Sequence, residues 1–184
     1  MTAARRAWAA DLLHFWFDEL GPADWFGASP QVDAELRRRY AGWLIALRRR
    51  PAREFVTDPP TARAAVLLFD QVPRNIHRGS AVAFVTDPLA RAIAKAALRR
   101  GWDRGLELSG RQFLAMPLMH SEAIADQRAS VAYFRALGSA EILAFARSHQ
   151  RMIARFGRFP HRNEVLGRAA TDAERAAVAA GFAW

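Results

Sequence analysis

The sequence predicts an all-α fold, more closely an arrangement of antiparallel, tetratricopeptide-like helical hairpins with about seven to nine helices. Apolar residues recur at helical spacing along most of the chain. No stretch alternates apolar and polar residues as a half-buried strand would. Capping residues, prolines and glycines also divide the chain at intervals that suit helices.

The first helix is predicted from an apolar stripe that runs from Trp8 to Leu20 and stops at Gly21-Pro22. A second helix is predicted to begin at Ser29-Pro30, because a capping residue followed by proline is typical of a helix start. Apolar residues at helical spacing continue this helix until Pro51 closes it. Both helices therefore have one apolar face to bury.

Two later helix starts share one pentapeptide. Phe-Val-Thr-Asp-Pro occupies residues 55–59 and again residues 84–88. We expect Asp58 and Asp87 to cap the helices that follow, with the proline in the first turn. The recurrence suggests stacked hairpins, although its spacing is shorter than the roughly 34 residues of a tetratricopeptide repeat; a chance recurrence of a good cap explains it equally well.

Helices are also predicted over residues 110–120, 123–137 and 141–156. Pro117 is expected to kink the first of them, and Gly138 and Gly157 to end the other two. The spacing Thr171-x-x-Glu174 is a capping box that starts a short final helix.

Composition excludes several classes of function. The 184 residues suit a single domain over residues 1–184, and the absence of cysteine excludes disulfides and thiolate chemistry. The formal charge of +9 comes from basic residues that are all arginine except Lys95. They are spread along the chain, so we interpret them mainly as codon-biased surface residues and expect no nucleic-acid partner.

Neither a signal peptide nor an apolar run of the roughly 18 residues that span a bilayer is seen, which predicts a cytoplasmic protein without a membrane partner. No phosphate-loop or dinucleotide glycine pattern occurs, and no cofactor is predicted.

Three polar clusters stand near the predicted helix ends. In the first, Asp70 is expected at a helix C-terminus, where the helix dipole disfavours negative charge, so it needs a cation such as Arg74. The alternative is a structural clasp that closes the loop. The second cluster is His120-Ser121-Glu122, in which His120 is either a general acid or base or a core histidine bonded to a carbonyl.

The third cluster contains Arg158, His161, Arg162 and Asn163 around Pro160. It repeats the order of Pro73, Arg74 and Asn75, so the two turns are expected to be built alike. Asparagine would either cap the next helix or face a shared ligand. Two such turns favour a polar pocket between helices.

The three polar clusters, together with the strings at residues 15–17, 126–127 and 166–168, resemble a bacterial family of unknown function, DUF924. The resemblance implies a tetratricopeptide-like helical fold and no established activity. Val72, Ala115 and Ala170 depart from the family pattern, at positions that affect packing and a cap. The resemblance rests on residues 15–17, 70–75, 117–122 with Asp126-Gln127, 156–163 and 166–168.

We therefore hypothesise an arginine-lined pocket that binds a small anionic metabolite and hydrolyses it by acid/base chemistry. The candidate catalytic residues are Asp70, His120, Glu122 and His161. The candidate ligand-binding residues are Gln71, Arg74, Asn75, Ser121, Gln127, Arg158, Arg162 and Asn163.

The alternative is a non-enzymatic, peptide-binding scaffold in which these clusters are structural. A metal site is the weakest reading, because His120 and Glu122 point to different sides of a helix. Oligomeric state and substrate identity are open.

Overall fold

The computed structural model describes residues 6–182, and these residues form helices and turns without a β-strand. The predicted all-α fold is therefore confirmed. The α-helices, numbered in chain order, are α1 (Ala7–His14), α2 (Pro22–Phe26), α3 (Pro30–Leu47), α4 (Pro59–Val66), α5 (Val72–Ile76), α6 (Asp87–Arg99), α7 (Leu108–Met119), α8 (Ile124–Leu137), α9 (Ala140–Phe156) and α10 (Asp172–Ala179).

The described residues form two compact units. Unit 1 comprises residues 6–78 and 82–117, and unit 2 comprises residues 79–81 and 118–182. A single domain over residues 1–184 stays a prediction, as does the tetratricopeptide-like arrangement of hairpins. None of the described helices combines the length and apolar character that crossing a membrane requires.

The apolar stripes predicted for the first helices form the core of unit 1. Trp16 and Tyr40 are each 1% exposed, and the Trp16 ring meets Phe113 edge-on with 5.4 Å between ring centroids. The Tyr40 hydroxyl donates to Asp11 over 2.7 Å, which satisfies the polar tip of a buried ring. Burying each large apolar side chain stabilises the fold by about 1.5–3 kcal/mol.

Unit 2 is built on the helical hairpin α8–α9. Gly138 ends α8 with φ of 85°, and Ser139 caps α9. The two helices pack against each other, as a two-residue connection requires. Met152, Ile153, Phe159 and Ala177 form a small apolar core in this unit.

Local capping chemistry accounts for several helix ends. The Ser29 and Asp58 side chains accept hydrogen bonds from the N–H groups of Val32 and Thr61, over 3.3 and 2.8 Å. Thr171 and Glu174 form the predicted capping box. These starts, and the glycine ends of α8 and α9, are confirmed.

The predicted capping role of Asp87 is wrong. Helix α6 begins at Asp87 itself, Thr86 occupies the N-cap position, and no side chain caps the helix. The Thr86 hydroxyl donates to the Phe69 carbonyl instead, over 2.7 Å. At the second pentapeptide, a tertiary hydrogen bond thus takes the place of a side-chain cap. At the first pentapeptide, Asp58 does cap its helix.

The predicted helix end at Asp70 is also wrong. A π-helical turn, Leu67–Gln71, carries the chain directly from α4 into α5. The N–H of Val72 donates to the Leu67 carbonyl, five residues back. Such a widened turn tolerates Pro73, which has no N–H to continue a regular helix.

Candidate functional site

The first polar cluster lies in unit 1 and centres on Arg74. Its guanidinium donates to both carboxylate oxygens of Asp87, over 2.8 and 2.9 Å, and to the Asp70 carbonyl over 2.6 Å. It also lies 3.4 Å from the Asp70 carboxylate, which is fully buried. Burial opposes the charge of Arg74, but the two carboxylates outweigh burial and raise its pKa. We call these three residues the Arg74 clasp.

Gln71 and Asn75, which flank Arg74 in sequence, form their side-chain contacts with other residues of unit 1. The Gln71 amide donates to the Asp70 carboxylate and contacts the Met116 sulfur at 3.3 Å. Asn75 donates to the Gln71 carbonyl over 3.0 Å and accepts from Arg78 over 2.7 Å. The Asn75 side chain thus turns back onto the chain and does not cap a following helix.

Glu122 is the centre of a second network, in unit 2. Its carboxylate pairs with both terminal nitrogens of Arg168, over 2.9 and 3.1 Å. It also accepts the Phe159 N–H over 2.8 Å. Burial alone would raise the pKa of Glu122, but the hydrogen bonds from Arg168 and Phe159 lower it. Glu122 is therefore an ionised acceptor at neutral pH that fixes the backbone at Phe159.

The turn between α7 and α8 is held by two other predicted ligand-binding residues. The Ser121 hydroxyl donates to Asp126 over 2.8 Å and accepts the Ala123 N–H over 3.2 Å. The Gln127 amide donates to the carbonyls of Met119 and Ser121, both over 2.6 Å. These bonds set the backbone on both sides of His120.

His120 belongs to a cluster of three imidazoles in unit 2. The His120 and His149 rings lie 6.4 Å apart, and His149 meets the Phe159 ring edge-on at 5.5 Å. The centroids of the His161 and Phe159 rings are 5.6 Å apart, so the order of contacting rings is His120, His149, Phe159 and His161. The Arg162 guanidinium lies over the Phe159 ring at 4.5 Å. We call these five residues the histidine cluster.

The members of the histidine cluster differ in burial. Arg162 and Phe159 are buried, whereas His120 and His161 are partly exposed. His149 is 5% exposed, and its Nδ1 lies 2.9 Å from the Phe145 carbonyl. Burial first, then the charge on His120, lowers the pKa of His149 to about 3. The ring is therefore neutral at pH 7, with Nδ1–H donating to the Phe145 carbonyl and Nε2 unprotonated.

Sequence reasoning missed His149 and Arg168. His149 lies seven residues after Ile142 and three before Met152, on the buried stripe of α9, and a histidine in such a stripe is a recognisable signal. Arg168 is 46 residues from Glu122, and no spacing rule connects them.

Arg158 and Asn163 turn towards α10. The Arg158 guanidinium donates to both Glu174 carboxylate oxygens, over 2.6 and 2.9 Å, and to the Ala169 carbonyl over 2.8 Å. Hydrogen bonds from Arg158 and from the Thr171 backbone lower the pKa of Glu174, and Asn163 adds to this effect. This group joins the turn after α9 to the start of α10.

The predicted site residues therefore divide by unit. Asp70, Gln71, Arg74 and Asn75 belong to unit 1, and the remainder belong to unit 2. Within unit 2, His161 and Arg162 lie against the Phe159 ring, His120 lies against His149 of the same cluster, and Glu122 is bound to the Phe159 backbone. Among residues 6–182, no three histidine, aspartate or glutamate side chains are grouped as a metal site requires.

Comparison with known proteins gives a family and a fold. The family model described as "Bacterial protein of unknown function (DUF924)" matches residues 12–181. The solved structure of a protein of unknown function from Agrobacterium tumefaciens, ATU0120, is similar to this chain with a TM-score of 0.88 and 37% identity. That match covers 94% of this chain and 97% of the other. No curated protein matches. The chain belongs to the bacterial DUF924 family, as its sequence strings indicated.

Proposed function

We propose that this protein binds a small anionic molecule, a carboxylate or a phosphate, at the histidine cluster. The observation that carries the proposal is the grouping of three imidazoles and one guanidinium: His149, His161 and Arg162 lie against the Phe159 ring, and His120 lies against His149. Guanidinium and imidazole N–H groups are strong donors to anionic oxygens. His120 and His161, which are partly exposed, are the side chains through which a ligand would enter.

The electrostatics of His149 support an anionic ligand. After burial, the groups that lower its pKa are His120, Arg162 and His161, so the surroundings of the ring are positive. A positive, partly buried region attracts anions and strengthens their hydrogen bonds. Strongly shifted pKa values of this kind concentrate at functional sites.

The chemistry that fits the cluster is hydrolysis by acid/base catalysis. One neutral imidazole would accept a proton from water as the water oxygen bonds to the carbonyl carbon or phosphorus. A second, protonated imidazole would give a proton to the leaving oxygen. Glu122, which is ionised and bonded to the Phe159 N–H, would position the cluster and not transfer protons. The proposal assigns no role in catalysis to Asp70.

Ligand-dependent stability tests the binding step. We expect inorganic phosphate or citrate, compared at equal ionic strength, to raise the melting temperature of the wild type, because a ligand of the folded state stabilises it. His120→Asn and His161→Asn should abolish this increase. His14→Asn is the matched control, since that ring is exposed and contacts Asp18 in unit 1. Equal increases in all four proteins would contradict the proposal.

Hydrolysis of p-nitrophenyl acetate and p-nitrophenyl phosphate tests the catalytic step. We expect His120→Asn to lose about 100-fold or more in rate with an unchanged circular dichroism spectrum, given the usual contribution of a general acid or base. If anions bind but neither ester is hydrolysed, the catalytic step is wrong and the protein is an anion-binding protein only.

The second candidate function is a peptide-binding helical scaffold. The observation that favours it is that the guanidinium groups of Arg74 and Arg158 are already bidentate with carboxylates of their own units. Such pairs hold helix ends together without any ligand. If no small anion raises the melting temperature, this candidate is preferred.

A further inference from the structure

An open cleft in unit 1 lies where the end of α3 meets the start of α6. Its volume is about 450 Å³, within the roughly 300–1,000 Å³ that is usual for small-molecule sites. It is lined by Arg48, Arg49, Val85, Thr86, Pro88 and Leu89. We call it the α3–α6 cleft. One wall comes from an arginine triplet, and the other from the second copy of the repeated pentapeptide.

The two arginines of the cleft are available to bind a ligand. Both are exposed, and neither side chain forms a salt bridge or hydrogen bond with another of residues 6–182. This distinguishes them from Arg74, whose guanidinium is held by Asp87 and Asp70. A helix C-terminus favours cations in general, which explains the triplet Arg48 to Arg50 but not why two of its members line a cleft.

The electrostatics around the cleft are also positive. Burial, then the charges of Arg37 and Arg48, lowers the pKa of His77, so this part of unit 1 carries a positive potential. The nearest acidic residue in sequence is Asp87, and its carboxylate is bidentate with Arg74. The cleft therefore presents guanidinium charge without a competing carboxylate among its lining residues.

The opposite wall of the cleft is apolar and offers few hydrogen-bond donors. Pro88 has no N–H, the Leu89 N–H donates to the Thr86 carbonyl over 3.1 Å, and the Thr86 hydroxyl is engaged with Phe69. Val85 is 59% exposed. A ligand that only carried charge would leave this wall solvated, whereas an apolar body would cover it.

We propose that the α3–α6 cleft binds a small amphiphilic anion, an organic phosphate or carboxylate whose charged group pairs with Arg48 and Arg49 and whose apolar body packs on Val85, Pro88 and Leu89. Guanidinium groups bind phosphate and carboxylate by paired hydrogen bonds. The cleft volume admits one such molecule of metabolite size. This site is in unit 1 and does not depend on the function proposed for the histidine cluster.

Phenyl phosphate is a suitable probe, with inorganic phosphate and phenol as its two halves. Titration of the ¹⁵N-labelled full-length protein, followed by NMR, reports binding residue by residue. We expect saturable shifts at residues 48–49 and 85–89 with phenyl phosphate, and much weaker shifts with either half alone.

Three variants test the assignment. Removing both cleft charges, in Arg48→Gln/Arg49→Gln, should weaken phenyl phosphate binding by about tenfold or more, since charge-assisted hydrogen bonds are lost. Val85→Glu should weaken it to a similar degree by placing a carboxylate in the cleft. Arg50→Gln is the matched control, because Arg50 belongs to the same triplet and does not line the cleft. All these positions are exposed, so the fold should be preserved.

Two results would overturn the proposal. Equal weakening in Arg50→Gln would show that general surface charge causes binding. Equal affinity for inorganic phosphate and phenyl phosphate would show that the apolar wall takes no part. Binding that is lost in the cleft variants and kept in His120→Asn would support the cleft and leave the histidine cluster to its own test.

Discussion

Two turns with nearly the same sequence reach opposite electrostatic environments. In unit 1, Pro73-Arg74-Asn75 places its arginine between two carboxylates, one of which is fully buried. In unit 2, the turn from Pro160 to Asn163 places Arg162 over an aromatic ring beside three imidazoles. Both prolines open a short helical turn, as expected from their fixed φ. The motif therefore sets the local backbone, and distant residues decide the chemistry.

This difference separates a stability element from a candidate site. Arg74 is satisfied by carboxylates of its own unit, so its contribution should appear in the free energy of unfolding. The histidine cluster concentrates imidazole and guanidinium groups, so its contribution should appear in pH dependence and ligand binding. Replacing single residues in the two units should separate these two kinds of contribution.

Arg74→Gln should give the largest loss of stability. It would remove the guanidinium that pairs with the fully buried Asp70 carboxylate and the partly buried Asp87 carboxylate, which costs about 3–5 kcal/mol. Urea denaturation at pH 7, followed by circular dichroism, measures the change. Adding Asp87→Asn to Arg74→Gln should recover part of the loss, because the two residues interact directly. A loss below about 1 kcal/mol would show that Arg74 is not a structural clasp.

The pH dependence of stability should reveal His149. Its pKa is about 3 in the folded chain, against about 6.5 when unfolded. Between these values the unfolded state binds more protons, so the stability contribution is complete above about pH 6.5 and falls with acidification by up to about 1.4 kcal/mol per pH unit. We expect unfolding free energies measured from pH 7.5 to pH 5 to fall less steeply in His149→Gln than in wild type.

The control for this experiment is His14→Gln, which changes an exposed ring. Because His14→Gln retains His149, its unfolding free energy should fall more steeply with acidification than that of His149→Gln. If His149→Gln keeps the wild-type slope, His149 is not a buried neutral histidine.

Glu122→Gln should have a smaller effect than loss of the Arg74 clasp. It weakens hydrogen bonds to Arg168 and Phe159 at a partly exposed carboxylate, so we expect a loss of about 1–2 kcal/mol at pH 7. The folded pKa of Glu122 is lowered, so its contribution is present above the unfolded pKa and disappears as the pH falls through the folded value. Wild type and Glu122→Gln should therefore converge in acid, and a constant difference at all pH values would contradict the ionic role.

Arg38→Gln should have the smallest effect. Arg38 pairs with Glu35 over 2.5 Å on the surface of α3, where both charges are well hydrated. Surface pairs of this kind contribute little to stability. The urea midpoint should stay within experimental error of the wild type, and a clear decrease would mean that the abundant surface arginines stabilise this fold.

The sequence predicted the helices well because their ends depend on local physics. Ser29, Asp58 and the Thr171 to Glu174 box cap helices through N–H groups no more than three residues away. Gly138 and Gly157 end helices through positive φ angles that glycine adopts easily. Asp87 breaks the pattern, because a tertiary partner, Arg74, competes for its carboxylate.

The candidate site was predicted less completely for the same reason. The polar strings around His120 and Arg162 were recognised because their composition is unusual for helix packing. The apolar stripe of α9 indicates that His149 is buried but not which groups surround it, and Arg168 is far from Glu122 in sequence. Neither side chain carries a local signal of its partner.

By itself, the sequence determined the helical class, most helix boundaries and the family, because periodicity, caps and turn residues act over a few positions. Only the tertiary structure decided which arginines are engaged: Arg74 with Asp87, Arg168 with Glu122, and Arg158 with Glu174. Every arginine carries a positive charge. Its burial and its ionic partner, which determine its role, depend on residues that folding brings together.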